Sequence, residues 1–434
     1  MQPMTFARRP LTRASTVVAT VVAVIAALAL ALGVQRSAHA NTSTLNQVTN
    51  FGSNPGSLDM YSYLPTTAPS SGAPLVIALH GCTQSASDYY SNSGWPQEAD
   101  TYGFDVIFAE QPSASSPIEY CFDWGDTSND ARGNGEAESI YQMIQYAETN
   151  WHVNTSKIYI TGLSAGAGMT SDMLADYPDV FAGGSIDSGP AAQCSTSGIY
   201  NTNCTSGTTS NTVAQWASLI KNSDSGYSGP YPRVAIWQGS SDTTVNPAEL
   251  TYNMDGWTSV WGLSQTPTST KSLTGGTTEN DYDTSNGVDA VSTFEVSGMT
   301  HGLAVNPGSG ATQCGSTGTY YLNYICSSYY TVLFWGLNNN ATTTASPSTS
   351  ATATATASAS SSPSASASPS STYTPTCYTA NNYAQTVAGR AYMSLGYVYA
   401  DGSNQNMGLD NTYATNTLEE TSPGYYVINN GTCP

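Results

Sequence analysis

The residues with chemical potential sit in a few short segments. Lys157 to Thr170 reads KIYITGLSAGAGMT, an apolar run that ends in Gly162-Leu163-Ser164-Ala165-Gly166 and continues into small residues. Serine between glycines at this spacing suits a tight strand-to-helix turn, because glycine lets backbone and helix pack without Cβ clashes. The turn lifts the hydroxyl clear of a sheet and aims the following N–H groups at a reacting carbonyl. Ser164 is therefore the candidate nucleophile. A serine hydroxyl is a poor nucleophile at neutral pH and needs an adjacent base. On a strand–serine–helix frame the partners follow in the order serine, acid, histidine. The chain has four histidines, at 39, 80, 152 and 301. Only His301, in GMTHG, comes after the serine, so it is the candidate base.

The third member must hold the imidazole in one tautomer and stabilise its positive charge. Asp242 fits, on a loop just beyond the apolar run Arg233 to Trp237 in WQGSSD. Asp187, directly after Phe181 to Ile186, is the rival. The acidic residues between Asp255 and Asp289 follow no apolar strand and read as solvated loop. Acyl transfer also needs donors for an oxyanion. The backbone N–H of Ala165 is one candidate, and that of Cys82 in His80-Gly81-Cys82 is the other. His80 then shapes this loop and is not the base. The scheme calls for no metal and no organic cofactor.

Such a site needs strands that end in loops on one side of a sheet. Pro74 to Leu79 (PLVIAL) is a continuous apolar run suited to a buried parallel strand, and Phe104 to Ala109 reads as the next. Glu136 to Trp151 carries apolar residues at helical spacing. Lys157 to Thr161, Phe181 to Ile186, Arg233 to Trp237 and Thr293 to Val296 follow as further strands. This alternation predicts an α/β fold of the α/β-hydrolase type with a mostly parallel sheet. No internal repeat is visible.

The ends of the chain are of different character. Arg8, Arg9 and Arg13, the apolar run Ser15 to Val34 and Ala38-His39-Ala40 have the layout of an export signal, predicted over residues 1–40. His39 would leave with it, and the Arg pair is compatible with twin-arginine export. The eight cysteines include no C-x-x-C pair, and in an exported chain they read as disulfides. Proximity suggests Cys194 with Cys204, Cys314 with Cys326 and Cys377 with Cys433, leaving Cys82 with Cys121. From Ala341 to Thr372 the chain is almost wholly Ala, Ser, Thr and Pro, with no side chain large enough to build a core. This divides the molecule into a catalytic-sized domain (41–337), a linker (338–376) and a small module (377–434). With 10 Lys and Arg against 30 Asp and Glu, the net charge is −20. Such a surface repels nucleic acid and anionic membranes, but not a neutral polymer. No second segment is long and apolar enough to span a membrane, and a secreted, extracellular monomer is expected.

The segments LHGCTQSASDYY with SGW, CFDWGD with RGNGEAESI, GLSAGAGMT and WQGSSDTTVNP resemble those of extracellular short-chain-length polyhydroxyalkanoate depolymerases. They are also similar to the related feruloyl and acetylxylan esterases. The resemblance runs from about Gly52 to Leu337 and places the family's serine, aspartate, histidine and oxyanion cysteine at Ser164, Asp242, His301 and Cys82. The tail from Cys377 resembles the polymer-binding module of poly(3-hydroxybutyrate) depolymerases. It departs at Gln385, where the resemblance leads one to expect a histidine associated with binding. The implied activity is hydrolysis of poly(3-hydroxybutyrate) or a similar aliphatic polyester. A cell-wall feruloyl or acetylxylan esterase is the alternative, and a polymer-binding protein with an inactive hydrolase domain is the alternative of another class. Trp124 and Trp257 are candidate substrate contacts, as is Arg390, the module's one cation.

Overall fold

The computed structural model describes residues 44–114, 119–196, 202–340, 376–388, 390–394, 397–400, 405–409, 414–422 and 425–429. The predicted export signal, most of the linker and Cys433 lie outside these residues. The chain divides into two compact units, 1–344 and 345–434.

The first unit is built on a ten-stranded sheet. Its strands are β1 (Asn46–Val48), β2 (Asp59–Tyr63), β3 (Leu75–Leu79), β4 (Asp105–Glu110), β5 (Ile158–Leu163), β6 (Gly183–Asp187), β7 (Arg233–Gly239), β8 (Ser269–Ser272), β9 (Thr277–Asp283) and β10 (Asp289–Val296). They lie in the order β1-β2-β4-β3-β5-β6-β7-β10-β9-β8. The six strands from β4 to β10 pair in parallel, and the flanking pairs are antiparallel. Six of the seven predicted segments agree with observed elements to within two residues at each end; the seventh, Thr293 to Val296, covers only the second half of β10.

Continuous apolar runs are what a strand covered on both faces requires. Leu75, Ile77 and Leu79 of β3 point into one core, with Ile140, Met143 and Ile144 of helix α3 (Gly135–Asn150) and Met169 and Met173 of α4 (Ala165–Asp176). Val76 and Ala78 point into the opposite core, with Tyr89 of α1 (Ala86–Asn92) and Trp95 and Ala99 of α2 (Trp95–Tyr102). From β3 the chain steps to β4 on one side and then returns to β5 on the other. The strand order reverses between β3 and β5, and a crevice opens there beyond their carboxyl ends.

The stretch expected to be solvated loop differs. β8 and β9 form an antiparallel hairpin at the sheet edge. Its acidic residues are cross-strand partners: Asp281 accepts hydrogen bonds from Ser269 Oγ (2.6 Å) and Ser292 Oγ (2.9 Å) and pairs with Lys271 at 2.7 Å. An edge strand held by polar cross-strand pairs needs no apolar run, which is why the pattern escaped detection.

Ordered elements also extend into both ends of the predicted linker, as a short turn at Leu337–Asn340 and a strand at Thr376–Asn381. The second unit has two three-stranded sheets around Ala391, Val398, Ala400, Met407 and Leu418.

Candidate active site

Ser164 sits between β5 and α4 with φ 58° and ψ −117°, a conformation that costs a non-glycine residue free energy. The glycines around it are there for close approach. A Cβ on Gly162 would collide with the Gly166 carbonyl, and one on Gly166 with the backbone of Leu79 and His80. The second contact brings the start of α4 against the end of β3, so the Gly81–Cys82 loop borders Ser164. Leucine or valine at Gly162 would push the start of α4 off the end of β5, and at Gly166 off the end of β3.

His301 arrives on the loop after β10. Its Nε2 lies 2.9 Å from Ser164 Oγ and its Nδ1 2.8 Å from Asp242 Oδ2. Asp242 is buried and fully engaged: Oδ1 accepts from the backbone N–H of Thr244 (2.8 Å) and Val245 (2.9 Å), and Oδ2 also from Gln238 Nε2 (3.1 Å). These donors fix the carboxylate, and the carboxylate fixes the ring. With Nδ1–H donating to Asp242, Nε2 is left to accept the serine hydroxyl.

Asp187 does not reach His301. It is buried at the end of β6, where Thr161 and Ser185 hydroxyls donate to Oδ2 at 3.1 Å each, and burial pushes its carboxyl up to about 7. His80 is wholly buried, with Nδ1–H donating to the Gly81 carbonyl (2.8 Å) and Nε2 accepting from the Gln111 N–H (3.1 Å). Burial pushes it down to about 4, so it is a neutral strut between the loops after β3 and β4.

Ser164 and His301 open into a pocket of about 150 Å³ also lined by Cys82, Thr83, Gln84, Thr244 and Tyr320. Cys82 is tied to Cys121, and Ala165 is the buried first residue of α4. Cys194–Cys204 and Cys314–Cys326 are also bonded. Cys377 is disulfide-bonded as well. Glu98 lies beside Cys314 and Cys326, but their disulfide leaves no thiolate for a metal.

Trp124 and Trp257 are not in the pocket. Trp124 packs on α4, where a Cβ on Gly168 would come within 2.6 Å of its ring, and Trp257 is buried completely. Both are core, as large aromatics more often are. Arg390 donates from Nε to Gln385 Oε1 (2.6 Å) and lies 4.5 Å over the Tyr378 ring. Gln385 is itself buried, donating to the Tyr378 and Asn416 carbonyls at 2.7 and 3.0 Å; it braces the module from inside. Sequence reasoning missed Gln84, Thr244 and Tyr320. Tyr320 lies in the loop closed by Cys314 and Cys326, and only that pairing hinted that the loop is held in place.

Residues 58–263 match the family model described as "Esterase PHB depolymerase". The chain is 43% identical to poly(3-hydroxyalkanoate) depolymerase C of Paucimonas lemoignei over 68% of this chain and 70% of that one. It belongs to the esterase PHB depolymerase family. Feruloyl esterase B of Talaromyces stipitatus is 37% identical, over 60% of this chain and 72% of that one. Among solved structures, an acetyl xylan esterase from Aspergillus awamori matches with a TM-score of 0.58 at 28% identity, covering 68% of this chain and 99% of that one. The protein is thus a carboxylic ester hydrolase with the α/β-hydrolase fold. Among the described residues no helix is long and apolar enough to cross a membrane.

Proposed function

We propose that the protein is a secreted depolymerase that hydrolyses poly(3-hydroxybutyrate) or a similar short-chain aliphatic polyester through an acyl enzyme on Ser164. As Ser164 Oγ attacks the ester carbonyl, His301 Nε2 takes its proton. Asp242 holds the ring and stabilises the imidazolium. The N–H groups of Cys82 and Ala165 face the negative oxygen of the tetrahedral intermediate. Imidazolium then protonates the departing alkoxide, leaving the acyl group on Ser164. Water, deprotonated by His301, attacks this acyl group, and the acid leaves as serine recovers its proton.

The observation that carries the reaction is the hydrogen-bonded chain Asp242–His301–Ser164. The choice of polyester rests on the higher identity to the Paucimonas depolymerase, 43% against 37% for the feruloyl esterase. On this reading residues 1–40 are removed on export, and the Ala/Ser/Thr/Pro-rich segment tethers a polymer-binding module at 377–434 to a monomeric catalytic domain. The fold match to an acetyl xylan esterase favours a second reading, a cell-wall esterase. Clearing of a poly(3-hydroxybutyrate) suspension, measured beside release of ferulate and acetate from xylan, separates the two. Clearing that Ser164→Ala abolishes is expected; ester release from xylan without clearing would overturn the polyester reading.

A further inference from the structure

The depression around Ser164 continues beyond the catalytic pocket. Thr83, Gln84 and Tyr320 wall that pocket and also bound a second hollow of about 420 Å³, which runs on past Asp88, Asn92 and Thr319. At about 150 Å³ the catalytic pocket is small, since sites that enclose a drug-sized ligand usually measure roughly 300–1,000 Å³. The second hollow lies in that range by itself, so the two together have the volume to take more than one ester unit.

The cleft is held in shape from both sides. On one wall Ser85 caps α1, and Asn92 Nδ2 donates to the Asp88 carbonyl at 2.8 Å. On the other, the Ser316 N–H donates to the Asn92 carbonyl (3.0 Å) and Tyr321 Oη to Gln84 Oε1 (2.7 Å). The Cys314–Cys326 disulfide closes the loop that carries this second wall. A preformed cleft binds a flexible chain without first having to be ordered.

Its lining is uncharged except at one place. Among the described lining residues of the second hollow, Asp88 alone carries a charge; the residue is exposed, its carboxylate accepts from Ser85 Oγ at 2.7 Å, and its backbone N–H donates the cap bond to the same Ser85 Oγ at 3.2 Å. Ester units in the interior of a polyester are neutral, whereas each hydrolysis leaves one new end bearing a carboxylate. We infer that this cleft carries the polyester chain on one side of the scissile bond as a neutral run of ester units, and that Asp88 turns away a chain end with a free carboxylate. The inference rests on the polyester reading. It makes Asp88 a specificity-determining residue, with no part in the chemistry at Ser164.

The test uses soluble trimers of 3-hydroxybutyrate with either a free carboxylate or a methyl-ester end, and p-nitrophenyl butyrate as a monoester reference. The wild-type chain is expected to favour the capped trimer by about three- to tenfold in kcat/KM, as for two like charges roughly 8 Å apart at a wet surface. Asp88→Asn should bring this preference close to one. Salt at about 1 M, where the screening length is about 3 Å, should do the same to the wild type. Thr319→Trp places a large side chain on an exposed position in the cleft and should lower the ratio of trimer to monoester hydrolysis by about tenfold or more. A preference that Asp88→Asn leaves unchanged, or a trimer-to-monoester ratio that Thr319→Trp leaves unchanged, would overturn the assignment while the polyester reading stands. Failure of the wild type to cleave either trimer, with p-nitrophenyl butyrate still hydrolysed, would overturn both.

Discussion

Asp242→Asn and Asp187→Asn make the same change at two buried acids on neighbouring strand ends, and the structure requires opposite outcomes. In Asp242→Asn the amide must keep its oxygen on the Thr244 and Val245 N–H groups, because an NH2 there would face two donors. The NH2 then occupies the Oδ2 position, opposite His301 Nδ1 and Gln238 Nε2. His301 can meet it only by accepting at Nδ1, which moves the ring proton to Nε2 and leaves nothing to accept the Ser164 proton. A wrong tautomer together with a lost counter-charge lowers turnover by about 10³–10⁴-fold, roughly 4–5 kcal/mol of transition-state stabilisation. Asp187 is different. Its carboxyl, pushed up to about 7 by burial, is mostly protonated below that pH, and an amide has nearly the shape of the acid. Activity of Asp187→Asn should stay within about threefold of wild type.

The two variants also differ in stability. A carboxyl whose folded value is raised from 3.8 to about 7 binds its proton more tightly in the folded state. The unfolded chain releases that proton first, so stability falls as pH rises from about 4 to about 7, by at most about 4 kcal/mol. Asp187→Asn removes this loss and should flatten the decline of Tm between pH 5 and pH 8. The assay is kcat/KM on p-nitrophenyl butyrate, with thermal unfolding across the same pH range. Loss in Asp187→Asn equal to that in Asp242→Asn, with both proteins folded, would refute the reasoning.

Ser164→Gly should abolish hydrolysis yet raise stability by about 0.5–2 kcal/mol in urea unfolding, since glycine adopts φ 58°, ψ −117° without strain; a less stable variant would show that the turn stores none. Gly166→Ala drives a methyl into the backbone of Leu79 and His80 and should cost about 1–3 kcal/mol together with most of the activity, whereas unchanged kinetics would mean that the start of α4 and the end of β3 need not touch. Ending the chain after Asn340 should leave soluble-ester hydrolysis nearly intact while attack on solid poly(3-hydroxybutyrate) falls by about tenfold or more. Equal loss on both substrates would make the module a folding element.

The serine turn was legible in the sequence because its geometry admits so few residue types. Glycine at 162 and 166 is imposed by backbone approaching backbone, and an apolar run entering Gly162 needs no long-range partner to be read as a strand. His301 was legible by order, since the chain offers no other histidine after Ser164. The paired cysteines at 194/204 and 314/326 were legible from their short separations, which leave the ends little room to part. The acid was narrowed but left with a rival: Asp187 and Asp242 both follow apolar strands, and a string of letters holds no distance to an imidazole. Tertiary structure separates them, because the loop after β10 brings His301 to the end of β7, where Gln238, Thr244 and Val245 have already organised one carboxylate. The fate of Trp124 and Trp257 was settled in the same way. An aromatic ring is equally suited to a core and to a cleft, and only the faces of α4 and of the helix Ala248–Val260 determine which it meets. The β8–β9 hairpin left no mark because its cohesion lies in polar cross-strand pairs such as Ser269 with Asp281 and not in a pattern of apolar side chains, and the cleft beside Asp88 depends wholly on assembly, since its walls are joined by hydrogen bonds such as that of Tyr321 to Gln84, between residues far apart in the chain.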